Sequence, residues 1–400
     1  MEPLFQVAPF TGYVYPNETV IPWTVLVVVY PYLTGLVAGA FTVSSLYQVF
    51  GMQRFKPVAH FALLTSLCCM LIVPVPLLLH LGHPERAFNA TITPHLTSAF
   101  AVFGYAAGFY ACLLILETWF VFRPHIVQQA QGGKGLLRRF YQLLSLGSYD
   151  LSEKAMRYDR KWIFALAVIG IPAAHGLHGY VGFVFGSLKS REWWSSDLMP
   201  AVFLFSAIIS GTSLLIVLYV LSCRLRKIPI DPACLKGMAY TLWGFMMFTL
   251  VLEGVEFASL VYRGREGIEM IMEYVKGPLT VPFFVLQFGV GSFIPLVLLS
   301  YMIWRGTGGR ALVAGVAISA ILVLLAVLMM RWNVVIGGQE IAKTGKGLLT
   351  YHPEILGREG LLAAASVIVA PFILLWVMIQ MFPPWGENAI SLPLSENANR

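Results

Sequence analysis

Nine stretches of the 400-residue chain are apolar for twenty residues or more, at roughly 23–50, 57–81, 95–122, 162–186, 198–222, 238–262, 279–304, 311–336 and 360–382. Within them apolar side chains fall on every side of a helical wheel, as in helices surrounded by lipid or by other helices. A run of about 20 such residues spans the hydrocarbon of a bilayer. A segment in hydrocarbon must also satisfy its backbone hydrogen bonds within itself. The pattern therefore predicts an all-α polytopic membrane protein with nine, or ten, transmembrane helices. Eight of the runs suffice for two four-helix bundles, at 23–186 and 198–336, with 360–382 as an extra helix.

Composition sharpens this reading. Hydrophobic residues make up 58% and charged residues 12% of the chain, and the mean hydropathy is +0.75. A soluble chain carries about 25% charge, so the apolar surface must face lipid. The net charge of +7 then belongs to loop topology, and no nucleic-acid partner is expected. Sixteen of the 27 Lys and Arg lie in or beside the loops after spans 1, 3, 5 and 7, against ten on the other side. Basic loops stay in the cytoplasm. That places segment 1–22 and loop 337–359 outside, and loop 123–161 and tail 383–400 inside. Residues 1–22 contain no Lys or Arg, unlike a signal peptide, so the first span is expected to be retained. Inside the long loop, Gln128 to Gly135 reads as a flexible polar stretch and Leu136 to Tyr149 as an interfacial amphipathic helix. The five cysteines Cys68, Cys69, Cys112, Cys223 and Cys234 form no C-x-x-C pair. An iron–sulfur cluster takes about four closely spaced thiolates, so none is expected in this chain.

Ionisable groups in hydrocarbon cost several kcal/mol each and mark function by default. Counted along the helices at about 1.5 Å per residue, Tyr30, His175, His178, Glu253, Glu256, Gln287, Arg331 and Asn333 all fall in the extracytoplasmic half of their spans. His175 and His178 share a helix face at i, i+3, as do Glu253 and Glu256. Pro172 and Pro31 interrupt the backbone bonding beside His175 and Tyr30, and Gly35 and Gly39 offer a face for close helix contact. Each group also has an ordinary reading: a buried histidine bonding a carbonyl, a glutamate snorkelling, Arg331 anchoring at the boundary. Their convergence at one depth favours a single polar pocket. A quinol ring fits such a pocket, because its oxidation releases two protons that carboxylate and imidazole can accept. Electrons would leave to a partner subunit. In the opposite half the main polar group is Glu117, a candidate for a proton path.

Four segments carry a family resemblance. Trp23 followed by Tyr30-Pro31-Tyr32-Leu33-Thr34-Gly35-Leu36-Val37-Ala38-Gly39-Ala40 resembles a glycine-rich first core helix. Leu79-His80-Leu81-Gly82-His83-Pro84-Glu85-Arg86-Ala87-Phe88-Asn89 is similar to an L-x-L-G-R-P-E-R-x-W-N loop, departing from it at His83 and Phe88. Thr93-Pro94-His95-Leu96-Thr97-Ser98 matches more weakly. Arg331-Trp332-Asn333-Val334-Val335-Ile336-Gly337-Gly338-Gln339 resembles the DsrP-like branch. Together, over about residues 20–360, the chain resembles the NrfD/PsrC family of membrane quinol-oxidoreductase subunits, closest to its DsrP (HybB-like) members.

The resemblance implies a multi-pass protein of a prokaryotic inner membrane with a periplasmic N-terminus, and two bundles with a menaquinone or other quinone site near the periplasmic face. It implies a periplasmic ferredoxin-like iron–sulfur partner. In a Dsr-type complex of sulfur metabolism, multihaem cytochrome c, cytochrome b and cytoplasmic iron–sulfur subunits would join it. Quinone binding is expected at Tyr30, His175, His178, Glu253 and Glu256, supported by Gln287, Arg331, Asn333 and Gln339. The outer loops, with His83, Glu85, Arg86, Lys343, Lys346 and Arg358, are expected to dock the partner. No haem is expected in this chain. Two other readings compete. One is a haem-b cytochrome using His80 and His178 as axial ligands; the other is a secondary transporter.

Overall fold

A computed structural model describes residues 20–95, 97–264, 267–345 and 347–385. Among these residues nine helices are long and apolar enough to cross a membrane. They are α1 Val25–Gln48, α2 Gln53–His80, α3 Ala99–Gly132, α4 Glu153–Gly186, α5 Met199–Arg226, α6 Pro232–Arg263, α7 Thr280–Trp304, α8 Gly309–Glu340 and α9 Leu361–Met381. Helices α1 to α4 pack in a closed ring, each on the next and α4 on α1, and α5 to α8 do the same. The rings join where α1 meets α5 and α8 and where α4 meets α5, while α9 lies against α2 and α1. One end of the assembly carries Trp23 and the described residues of the segments 81–98, 187–198 and 341–360. The other carries Arg54 and the segments 133–152, 227–231 and 305–308. They are called the Trp23 face and the Arg54 face below.

Helix α1 is apolar all round because it is enclosed all round; from Val25 to Phe41 every side chain is buried. Glycine makes this possible. A Cβ on Gly39 would lie 2.1 Å from the Ala207 carbonyl oxygen and 2.7 Å from Gly211 Cα, so α1 and α5 cross backbone against backbone. Gly35, one turn earlier, faces side chains instead: its Cβ would meet the His178 ring at 3.4 Å.

The Arg54 face departs from the hydropathy reading. Helix α3 runs on through Pro124 to Gly132, so most of the polar stretch at Gln128 is helical. Helix α4 begins at Glu153, where the Ser152 hydroxyl caps the Ala155 N–H. The long loop therefore shrinks to the helix Gly135–Leu144 and two short connectors. Leu136, Leu137 and Leu143 of that helix are exposed, while the Tyr141 hydroxyl donates to the Met381 carbonyl at 2.8 Å. Charged residues of the extended helix ends read as loop but are structural. Arg123 and Asp159 form a buried ion pair at 2.6 Å, and Arg123 also donates to Ser148 Oγ and the Asp150 carbonyl. Breaking such a pair from one side strands a buried charge, at about 3–5 kcal/mol.

Residues 1–19, Lys346 and the tail after Trp385 lie outside the described residues.

Candidate functional site

A cavity opens between α5, α6, α7 and α8 towards the Trp23 face. Its walls include Trp193, Met199, Val202, Phe257, Leu260, Phe283 and Phe288, and its polar lining includes Glu253, Glu256, Gln287 and Asn333. Two of these groups owe their position to π-helical backbone. The first half of α7, Thr280–Phe293, is a π-helix carrying Gln287. The residues Asn333–Gly337 of α8 form a second π-helical turn. Such turns leave backbone groups unpaired and cluster at functional sites. Here Trp193 Nε1 donates to the Asn333 carbonyl at 3.1 Å and Trp194 Nε1 to the Val334 carbonyl at 2.5 Å.

The polar side chains form a directed chain. Asn333 Nδ2 donates to Gln287 Oε1 at 2.8 Å, and Gln287 Nε2 donates to Glu253 Oε2 at 3.0 Å. Each amide thus uses its NH₂ towards the carboxylate, which accepts. Asn333 Oδ1 is left with no partner among the described residues. Glu253 and Gln287 also line a second, smaller cavity running deeper between α6, α7 and α8, past Thr249 and Ser292 to Val323.

Behind this cavity, at the junction of the two rings, Arg331 is fully buried. Its guanidinium lies 3.9 Å from the centroid of the Phe203 ring. It donates to Ser206 Oγ at 2.6 Å and meets His178 Nε2 at 3.0 Å. A guanidinium can only donate, so His178 Nε2 accepts and the ring is neutral, with its proton on Nδ1. Among the described residues no carboxylate forms an ion pair with Arg331.

The other expected site residues lie elsewhere. Tyr30 is buried edge-on against Phe103 of α3 at 5.7 Å. His175 bonds the Ile171 carbonyl at 2.7 Å and Thr42 Oγ1 at 3.1 Å, within the α1–α4 ring. Gln339 closes the start of α1, accepting from Trp23 N–H and donating to the carbonyls of Trp23 and Val335. Among the described residues Tyr30, His175 and Glu253 therefore have different surroundings and share none of the cavities described. Depth along a helix fixes height but not direction, and α5 stands between α6 and the helices that carry Tyr30 and His175.

In the loops of the Trp23 face His83 bonds Glu85 at 2.9 Å, and Arg86 sits 3.9 Å from the same carboxylate, all exposed. Arg358 donates to the carbonyls of Leu78 and Leu81, capping the end of α2, and Lys343 lies in the turn after α8. His80 pairs with Glu359 at 2.8 Å, and Glu359 also accepts from Thr24. His80 and His178 thus serve different partners and do not face each other as axial ligands. Glu117 is fully buried in α3, and neither of its oxygens has a partner among the described residues. No group of three His, Cys, Asp or Glu is placed to hold a metal ion among those residues.

Sequence reasoning missed Ser206, Phe203, Trp193, Trp194 and Arg191. The last is buried, donates to the carbonyls of Gly338 and Ile341, and lies over the Trp194 ring at 5.1 Å. The doublet Trp193-Trp194 in a short loop was the one available signal, since indole N–H groups seek carbonyls when buried. Arg191, Arg331 and Arg358 all counted as basic residues of the Trp23 face, yet two are buried and the third caps a helix.

Residues 15–342 match the family model described as polysulphide reductase, NrfD. Over 383 residues the chain is 28% identical to a selenate reductase subunit of Mesobacillus selenatarsenatis, covering 92% of this chain and 87% of that one. It is 25% identical over 241 residues to the Hdr-like menaquinol oxidoreductase integral membrane subunit of Archaeoglobus fulgidus, covering 59% of this chain and 52% of that one. It is 24% identical over 327 residues to protein NrfD of Escherichia coli, covering 79% and 95%. With nine membrane-length helices among the described residues and a family match over most of its length, this chain belongs to the NrfD polysulphide reductase family.

Proposed function

We propose that the chain is the quinone-reactive membrane subunit of a respiratory redox complex. The ring of a menaquinone or related quinone binds in the cavity between α5 and α8, and the Trp23 face is the periplasmic one. The observation that carries this reading is the chain Asn333–Gln287–Glu253 at the floor of an aromatic cavity. Oxidation of a quinol releases two electrons and two protons. Glu253 and Glu256 provide carboxylates for the protons, Asn333 Oδ1 provides a free acceptor for a ring hydroxyl, and the aromatic walls exclude water from the ring. His178, held neutral by Arg331, is the adjoining imidazole. Tyr30 and His175 line the other side of the junction and act on the ring only through the helices that carry them. Electrons pass to an iron–sulfur subunit docked on the loops with His83, Glu85, Arg86 and Lys343. Lys346 belongs to the same loop by sequence.

The experiment is binding of a non-oxidisable quinol analogue to the purified chain. Glu253→Gln is expected to weaken it about tenfold or more, since a hydrogen bond to a charged group contributes about 1.5–3 kcal/mol. His175→Ala is expected to stay within about threefold. Unchanged affinity in Glu253→Gln would remove this cavity from the mechanism, and a larger loss in His175→Ala would move the site to the α1–α4 ring.

A Dsr-type complex of sulfur metabolism, with its cytochrome c, cytochrome b and iron–sulfur subunits, is the assembly favoured by the segment from Arg331 to Gln339. A second assembly, an oxyanion reductase, is favoured by the near full-length similarity to the selenate reductase subunit. Haem spectra of the complex isolated through this chain separate them: c-type and b-type haem accompany the first.

Glu117 is proposed as the proton-holding group on the Arg54 side. A carboxyl without partners at zero exposure is stable only when neutral or hydrated. Gln48 at the end of α1 has both amide atoms without a partner among the described residues, and Tyr110 lies two turns before Glu117 on α3 itself. Infrared spectra should show a protonated carboxyl band that shifts in D₂O and disappears in Glu117→Gln. A spectrum unaltered by that substitution removes the assignment.

A further inference from the structure

On the Arg54 face a cavity of about 550 Å³ lies where the end of α5 meets the starts of α6 and α8. Arg224 and Arg310 line it together with Ile230, Leu235, Leu312 and Val313. Beyond Leu312, which the two share, a second groove continues between α6, α7 and α8. Lys236 stands in this groove, and Leu299, Met302, Ile303 and Val316 form its walls.

The charges here have no protein partners among the described residues. Neighbouring cations on the same face are engaged: Arg226 lies over the Trp385 ring at 4.2 Å, and Arg305 bonds the Tyr301 hydroxyl. The side chains of Arg224, Arg310 and Lys236, by contrast, have no hydrogen bond, ion pair or ring contact among the described residues. Among the described residues no carboxylate lines either cavity. The nearest in sequence, Asp231, is occupied in capping α6, where it accepts from the N–H groups of Ala233 and Cys234. Helix α8 starts at the cavity with no side-chain cap, so its first N–H groups and dipole add to the positive potential. The combination is three cations without a partner among the described residues at the end of the membrane spans, and an apolar groove running from them towards the bilayer centre.

We propose that this is a binding site for an anionic phospholipid, with the phosphate between Arg224 and Arg310 and one acyl chain in the groove past Lys236. Basic pockets between helices on the cytoplasmic side suit acidic head groups. A free phosphate would use the arginines but leave the apolar groove unfilled. A zwitterionic lipid would fill the groove but bring its own cation towards the two guanidinium groups. The anionic lipid satisfies both halves of the site. It also closes the junction of α5, α6 and α8 on the face away from the quinone cavity, so it does not depend on the reading of that cavity.

The test is native mass spectrometry of the delipidated full chain, titrated with dioleoyl phosphatidylglycerol and, separately, dioleoyl phosphatidylcholine. Phosphatidylglycerol should be retained at about tenfold lower concentration or less. The double variant Arg224→Gln, Arg310→Gln should lose this preference, since each such cation near an acidic lipid is worth about a fivefold factor. Lys154→Gln with Arg160→Gln removes the same charge elsewhere on that face and should keep it. Ala314→Trp, which fills the exposed cavity wall without altering charge, should weaken retention of phosphatidylglycerol. Equal retention of both lipids, equal loss in the Lys154 and Arg160 control, undiminished retention in Ala314→Trp, or full displacement by glycerol phosphate at the lipid's own concentration would each overturn the proposal.

Discussion

Gly39→Leu is expected to abolish the folded protein, while Gly35→Ala, one turn away on the same helix, is expected to fold as well as wild type. The contrast comes from what each added carbon meets. At Gly39 it meets backbone: the Ala207 carbonyl oxygen at 2.1 Å and Gly211 Cα at 2.7 Å. Backbone cannot change rotamer, so α1 and α5 must separate along their whole crossing. Helix α1 packs against α2, α4, α5, α8 and α9 and touches α3 through Tyr30 and Phe41, and any separation opens packing on several sides. Overpacking a core usually costs about 1–3 kcal/mol; with no side chain able to yield, even Gly39→Ala should exceed that range. Gly211→Ala should behave alike, because its Cβ would lie 2.4 Å from Gly39 Cα. At Gly35 the contacts are side chains at 3.4 Å and beyond, and Ala is favoured over Gly in a helix by about 0.5–1 kcal/mol. The monodisperse fraction after extraction in mild detergent reads both outcomes. A Gly39→Ala protein as abundant and as heat-resistant as wild type would show that the crossing is not tight.

How much of this was written in the chain depends on the kind of information. The nine spans were legible because the bilayer imposes a length and a hydropathy on each. The ends of α3 and α4 were not, because a helix that leaves the bilayer loses its apolar signature while keeping its hydrogen bonds; Arg123 and Asp159 read as loop charges and are a buried pair. Gly39 was legible as a contact residue from its spacing to Gly35. Its partner Gly211 was not, since nothing local ties two positions on helices so far apart in sequence. The pair Glu253 and Glu256 was found from i, i+3 spacing and depth, and both line the cavity. Gln287 and Asn333 were found by depth alone, and the π-turns that aim them at Glu253 have no sequence signature of their own. Tyr30 and His175 show the limit of depth as a guide. They sit among the expected polar groups along their spans, but helix rotation turns one to Phe103 and the other to Thr42.

Under the proposed quinol-oxidising role, Arg331→Met is expected to leave a folded chain that assembles with its partners and turns over at least a hundredfold more slowly. Stability should change little. Replacing a buried charge by an apolar side chain of similar volume is often neutral, because the desolvation penalty disappears with the charge, and methionine can keep the contact over Phe203. Function should change greatly. Arg331 is a buried cation with no carboxylate paired to it among the described residues, close enough to Glu253 for the two charges to act on each other. In the proposed reaction, as Glu253 takes a proton its negative charge vanishes, and negative charge develops instead on the quinol oxygens. A fixed guanidinium behind the cavity then stabilises the reacting ring without having to move, and its field is little screened in a water-poor site. Loss of one such preorganised donor typically costs about 10²–10³ in turnover. Arg331→Lys should recover less than a tenth of the activity. An ammonium cannot lie flat on Phe203 while also donating to both Ser206 and His178, and it carries a heavier desolvation cost. Arg331→Lys would also free His178 Nε2 to take a proton, so the residual activity should acquire a steeper dependence on pH than that of wild type. Turnover of Arg331→Met within threefold of wild type, in an intact complex, would reduce Arg331 to a structural tie between the two helical rings.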